Sequence, residues 1–228
     1  MDDAQKYYDA AHSSAEAEDY AKAIQLYTQA IELNPKDDRI YFDRGKSRFF
    51  NQDFKGALED FTKTLEINPF DFPAYVERGL TYTQFEQWEE AIENYEKALE
   101  ICPEDYIAYY NRGEAYLHIK EYEKGINDLE TAANIVLSDG DMLLYRKIRY
   151  RLYEVISSLG YEYEDTEYVP DENESGREWL MAVNMINFSF EPVIINQIQN
   201  ASPSEQNDIE AEAYFQWQGK WYFVPRRE

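Results

Sequence analysis

Cysteine occurs once in the 228 residues, as Cys102, so no intrachain disulfide can form and no cysteine-rich metal cluster can be built. A chain this poor in thiols suits a reducing compartment, and the expected location is the cytoplasm. Histidine occurs twice, as His12 and His118, and neither has the spaced Cys, His or carboxylate partners that a zinc site needs. No metal or other cofactor is expected. Also missing are a glycine loop to cradle phosphate, a nucleophile elbow around a serine, and a local histidine to activate Cys102. Carboxylate pairs such as Glu89-Glu90 are common, but on so acidic a surface they say little about acid–base catalysis. An enzyme is therefore not expected. Nothing approaches the roughly 20 consecutive apolar residues of a membrane helix, and Met1 to Lys6 has neither a basic leader nor an apolar core. Positive charge is scarce too: 22 Lys and Arg against 46 Asp and Glu leave a formal net charge of −24. Such a chain repels phosphate backbones and anionic lipid heads, which excludes nucleic acid and membrane surfaces as expected partners.

What is present is a hydrophobic fraction of 44%, enough for a substantial core, and a fixed period. Pro35, Pro69 and Pro103 recur at intervals of 34 residues. The same interval stacks Tyr7, Tyr41, Tyr75 and Tyr109, then Ala11, Gly45, Gly79 and Gly113, then Tyr20, Phe54, Trp88 and Tyr122. A small-residue column follows (Ala23, Ala57, Ala91, Gly125), then a bulky one (Tyr27, Phe61, Tyr95, Leu129), then Ala30, Thr64, Ala98 and Ala132. Within each unit two stretches carry apolar spacing near 3.6, split by a short polar turn, so each unit reads as a helical hairpin. The glycines, costly in a helix interior, mark points where another helix approaches closely. The Asn-Pro and Cys-Pro pairs stop one helix, and Asp37, Asp71 and Asp105 favour the start of the next.

These columns resemble the tetratricopeptide repeat, whose signature alternates bulky and tiny residues before a closing proline, over roughly Asp2 to Leu137. The resemblance implies a mainly all-α solenoid of four hairpins. Comparing units adds a contact: Arg44, Arg78 and Arg112 on first helices face Asp60, Asn94 and Asp128 on second helices, whereas the first unit has Ala10 and Leu26. A polar pair exchanged for an apolar pair predicts touching sites across the hairpin, with a structural role.

Stacked hairpins leave a concave side lined by their first helices, and repeat proteins bind along it. The family's groove positions map to Tyr8, Asp9 and His12 in the first unit and to Arg39, Phe42, Asp43, Lys46 and Phe50 in the second. The third unit offers Val76, Glu77, Leu80 and Gln84, and the fourth Tyr110, Asn111, Glu114 and His118. Aromatic anchors among acids suit a protein or peptide partner that is apolar with some basic residues. The chaperone-tail clamp of a well-known subfamily is not expected, because acids such as Asp43 and Glu77 stand where donors are needed.

After the fourth unit, Met142 to Leu159 reads as a capping helix closed by Gly160, so the array with its cap spans residues 1–160. Its basic cluster of Arg146, Lys147, Arg149 and Arg151 reads as a solvated or acid-paired face rather than an anion site. Residues 161–175 are an acidic linker, and residues 176–228 a small C-terminal α+β module. In the module, Gly176 to Phe188 is a short helix and Pro192 to Gln199, Ile209 to Trp217 and Lys220 to Val224 are strands, with a Gln218-Gly219 turn joining the last two. Gly219 to Tyr222 is similar to the closing strand of nuclear-transport-factor-like domains, though the segment is short for that fold. Trp179, Trp217 and Trp221 read as its core. The expected function is a protein-interaction scaffold; the alternative is a C-terminal module with its own small-molecule pocket or enzymatic role, recruited by the repeats.

Overall fold

The computed structural model describes residues 3–160, together with the backbone of 211–217 and 220–225. The chain divides into two compact units, Met1–Asp141 and Met142–Glu228. The first holds eight helices: α1 Asp3–Glu16, α2 Tyr20–Leu33, α3 Asp38–Phe50, α4 Phe54–Ile67, α5 Phe72–Thr83, α6 Trp88–Ile101, α7 Tyr106–His118 and α8 Tyr122–Ser138. They pair as four hairpins, each second helix packs on the next first helix, and α1, α3, α5 and α7 also touch in succession. The first helices therefore line the inner side of the stack.

Local chemistry accounts for the helix ends. The residue before each of the repeat prolines Pro35, Pro69 and Pro103 leaves the helical region, with Asn34 at φ −134°, Asn68 at −127° and Cys102 at −126°, as Pro favours in its predecessor. Five aspartates then cap helix starts by accepting backbone N–H bonds: Asp19, Asp37, Asp53, Asp71 and Asp105. Gln87 and Glu121 stand at the same place before α6 and α8 without a side-chain cap bond. Between first and second helices the chain passes through a left-handed residue in every unit: Glu18 (φ 59°), Gln52 (63°), Glu86 (56°) and Lys120 (65°). Each is followed by a backbone bond reaching back five residues, such as Asp53 N–H to Arg48 O at 2.8 Å, which closes the first helix as a Schellman turn.

The core follows the columns. Ala23, Ala57, Ala91, Tyr27, Phe61, Tyr95 and Leu129 are all essentially inaccessible. Gly45 lies against the Phe61 ring and Gly79 against the Tyr95 ring, where an added Cβ would come within 2.8 and 2.7 Å. The two helices of the fourth hairpin approach backbone to backbone, since a Cβ on Gly125 would sit 2.9 Å from the Gly113 carbonyl oxygen. The predicted cross-hairpin contacts are present. Arg44 donates to both Asp60 oxygens at 2.9 and 2.6 Å, Arg112 to both Asp128 oxygens at 2.7 and 2.8 Å, and Arg78 to Asn94 Oδ1 at 2.8 Å. Each guanidinium also lies over the tyrosine three residues earlier, at 5.7, 5.5 and 5.4 Å for Tyr41, Tyr75 and Tyr109.

The second unit contains α9, Met142–Ser158, followed by Gly160 at φ 85°, and an antiparallel pair, β1 Ala211–Trp217 with β2 Lys220–Pro225. Trp217 pairs with Lys220, and the register shifts between Ala211 and Ala213. In the basic cluster of α9, Arg149 is buried and Arg151 reaches Glu154 at 3.4 Å, so the solvated reading fails for Arg149. The expected linker at 161–175, the helix from Gly176 to Phe188, the strand from Pro192 to Gln199 and the turn at Gln218-Gly219 lie outside the described residues. Among the described residues no helix is long and apolar enough to cross a membrane, and no group of His, Cys, Asp or Glu is placed to hold a metal.

Candidate binding groove

The residues assigned to the groove from sequence fall on α1, α3, α5 and α7, except Gln84, which caps the end of α5. On α1, Tyr8 is half-buried and donates its hydroxyl to Asp43 Oδ2 at 2.6 Å, tying the first unit to the second. Burial and the adjacent carboxylate push that hydroxyl well above its ordinary titration range, so it stays protonated and remains a donor. The Arg39 guanidinium stands 5.9 Å above the Tyr8 ring while bonding Asp37 at 2.7 Å, which holds Asp37 below its usual range. His12 is exposed, with Nδ1 3.6 Å from Glu16. On α3, Phe42 leans on Phe61 at 5.9 Å and carries the Lys46 ammonium 5.7 Å from its own ring. Cations thus cover two of the aromatic faces, as the ring quadrupole favours.

Three placements differ from the sequence assignment. Val76 is 8% exposed and belongs to the core cluster with Ala91, Tyr95, Ala98, Leu99 and Ala108, so it offers a guest almost no surface. Phe50, 56% exposed, lies at the end of α3 and stacks on Tyr20 at 5.3 Å, and His118 lies flat on Trp88 at 3.8 Å with 4° between planes. Both belong to an aromatic edge along the interhelical turns, continued by Phe49 on Phe54 (5.3 Å) and Phe54 on Phe85 (6.2 Å). They splice one hairpin to the next. Leu80, Tyr110, Asn111 and Glu114 are half-buried on α5 and α7, and Gln84 is exposed at the end of α5.

Column periodicity places Tyr27 and Tyr95 in one bulky column and gives their hydroxyls no role. Tyr27 meets Tyr8 edge-on at 5.7 Å, and Asp43 adds to the burial that keeps its hydroxyl protonated. Tyr95 is held the same way by burial and Glu77. The signal available in sequence was that the same column uses Phe61 and Leu129 in the other two units, where no hydroxyl is present. Glu77 itself is half-buried, and burial lifts its carboxyl above the usual range against the pull of Lys46.

A TPR repeat family model matches residues 15–51 and 79–120, and a tetratricopeptide repeat model matches residues 106–135. No curated protein sequence matches the chain. Among solved structures, MamA superposes with a TM-score of 0.59 at 19% identity, over 61% of this chain and 82% of that one. MamA from residue 41 to its end, from Desulfovibrio magneticus, gives 0.56 at 19%, over 71% and 99%. The first TPR of Spaghetti (RPAP3) bound to the HSP90 peptide SRMEEVD gives 0.50 at 22%, over 51% and 92%. Residues 52–78, between the family matches, have the same helix ends, left-handed turn and cross-hairpin arginine as their neighbours. With four hairpins in phase and the family models matching on either side of that stretch, the chain belongs to the tetratricopeptide repeat family.

Proposed function

We propose that this protein is an interaction scaffold that holds a peptide or protein segment along the inner face formed by α1, α3, α5 and α7. The observation that carries the reading is the lining of that face: Tyr8 and Phe42 present partly accessible rings beside Asp43 and Glu77, in a chain of net charge −24. Aromatic side chains give contact area at small entropic cost, and the acids select a guest with basic residues. Groove positions in this reading are Tyr8, His12, Arg39, Phe42, Lys46, Leu80, Tyr110, Asn111 and Glu114, with Asp43 and Glu77 among them. Acids at Asp43 and Glu77 disfavour a guest that ends in a carboxylate. The SRMEEVD peptide bound by the Spaghetti domain is that domain's ligand, and an acidic tail of that kind suits this groove poorly.

The test is a pull-down from source cells comparing the intact chain with Phe42→Glu plus Tyr110→Glu, each shown folded by circular dichroism. Specific partners should be lost from the double variant. Equal recovery of every partner would remove the groove from consideration.

A further inference from the structure

In the first unit, Tyr27 on the second helix meets Tyr8 on the inner face, and Tyr8 donates to Asp43 of the next unit at 2.6 Å. There the Tyr8 hydroxyl and the Asp43 carboxylate satisfy each other. Two units on, Tyr95 fills the place of Tyr27, wholly buried with its ring against Gly79. The residue in the place of Tyr8 is now Val76, with no hydroxyl to offer, whereas Phe42 and Tyr110 fill that position in the remaining units. The Tyr95 hydroxyl makes no hydrogen bond among the described residues. Glu77, next to Val76 on α5, acts electrostatically on Tyr95, and its carboxylate makes no hydrogen bond or ion pair among the described residues. Lys46 reaches it only through space.

An unpartnered buried hydroxyl beside an unpaired, half-buried carboxylate is costly in both groups. A guest that donates hydrogen bonds satisfies both at once, and a cationic donor also neutralises the carboxylate. A neutral amide would do only the first. A long basic side chain fits further because its apolar stem suits the half-buried Leu80, one turn on from Glu77, while its charged end supplies several donors. Resting on the groove reading above, we propose that Glu77 of α5 and the Tyr95 hydroxyl of α6 form a slot that takes the basic side chain, lysine or arginine, of the bound peptide.

The test uses a displayed library of random 12-residue peptides, selected on the full chain and counter-selected on Phe42→Glu plus Tyr110→Glu. Peptides that need the groove should carry lysine or arginine at one fixed position. The best of them is then measured by fluorescence anisotropy against the wild type, Glu77→Gln and Tyr95→Phe, with that residue either kept or replaced by norleucine. Glu77→Gln should weaken the basic peptide roughly tenfold or more and leave the norleucine peptide unchanged, as expected for one charge-assisted bond. Tyr95→Phe, which keeps the ring against Gly79, should weaken the basic peptide by a smaller factor. Groove-dependent peptides with no basic preference, or equal losses for both peptides in Glu77→Gln, would overturn the slot while leaving the groove standing. No groove-dependent peptide at all would remove the groove and the slot together.

Discussion

Arg44, Arg78 and Arg112 occupy one repeat position but leave different things behind when removed. Arg112→Met strands Asp128, a carboxylate with 4% side-chain exposure, whereas Arg78→Met strands only the neutral Asn94. Urea denaturation should therefore show a loss of about 3–5 kcal/mol for Arg112→Met and about 1 kcal/mol for Arg78→Met. Equal losses would mean that the guanidinium acts through its packing on tyrosine rather than through its partner. Burial lifts Asp60 and Asp128 above the usual carboxylate range despite the arginines pulling them down, so desolvation outweighs attraction in these pairs. The first unit, with Ala10 and Leu26, shows that the hairpin does not need the ion pair, and Arg44→Leu with Asp60→Leu should be closer to the wild type than either change alone. Burial likewise outweighs attraction at Glu77. Its folded-state carboxyl titrates above its unfolded value, so the protonated form favours folding, and that contribution is lost as pH rises through the folded pKa. Glu77→Gln should raise the melting temperature at neutral pH, with the gain shrinking as pH falls into the ordinary carboxylate range. A gain that persists undiminished in acid would show that charge burial is not its source.

At the scale of the helix and its turns, the sequence made some features readable and concealed others for physical reasons. The 34-residue period, the proline stops, the aspartate starts and the Arg–Asp contacts were legible because each depends on residue types with few substitutes. The left-handed turn residues were not, because Glu18, Gln52, Glu86 and Lys120 are not glycine and carry no sign of positive φ. The backbone pays for this: a non-glycine residue there costs on the order of 1 kcal/mol. Gln52→Gly and Glu86→Gly should each stabilise the array by about 0.5–1 kcal/mol, less whatever the glycine adds to the entropy of the unfolded chain. Thermal melts that show a loss would mean that the side chains at these turns have contacts worth more than the strain. The aromatic edge was hidden for a different reason: Phe50 and His118 sit at groove-like positions by count, but the last turn of each first helix already faces the interhelical loop, where Tyr20 and Trp88 receive them. Val76 was misplaced because the column that carries Tyr8, Phe42 and Tyr110 carries here a side chain too short to leave the core.

For the molecule as a whole, one property acts on folding and on binding with opposite signs. A net charge of −24 on 228 residues means that self-repulsion opposes the compact state, and added salt screens it. The pairs that salt would weaken are mostly exposed i,i+3 contacts such as Lys63–Glu66 and Lys97–Glu100, worth little, while Arg44–Asp60 and Arg112–Asp128 are shielded by burial. Raising NaCl from roughly 20 to 500 mM, a range over which the screening length drops well below the size of the array, should therefore raise the melting temperature. The same change should weaken a basic groove peptide, because its attraction to Glu77 and the surrounding acids is screened while its apolar contacts are not. Measured on one preparation, the two trends must run in opposite directions. If salt strengthened the basic peptide along with the fold, the contact would be governed by apolar burial alone, and the acidic lining would serve solubility rather than selection of the guest.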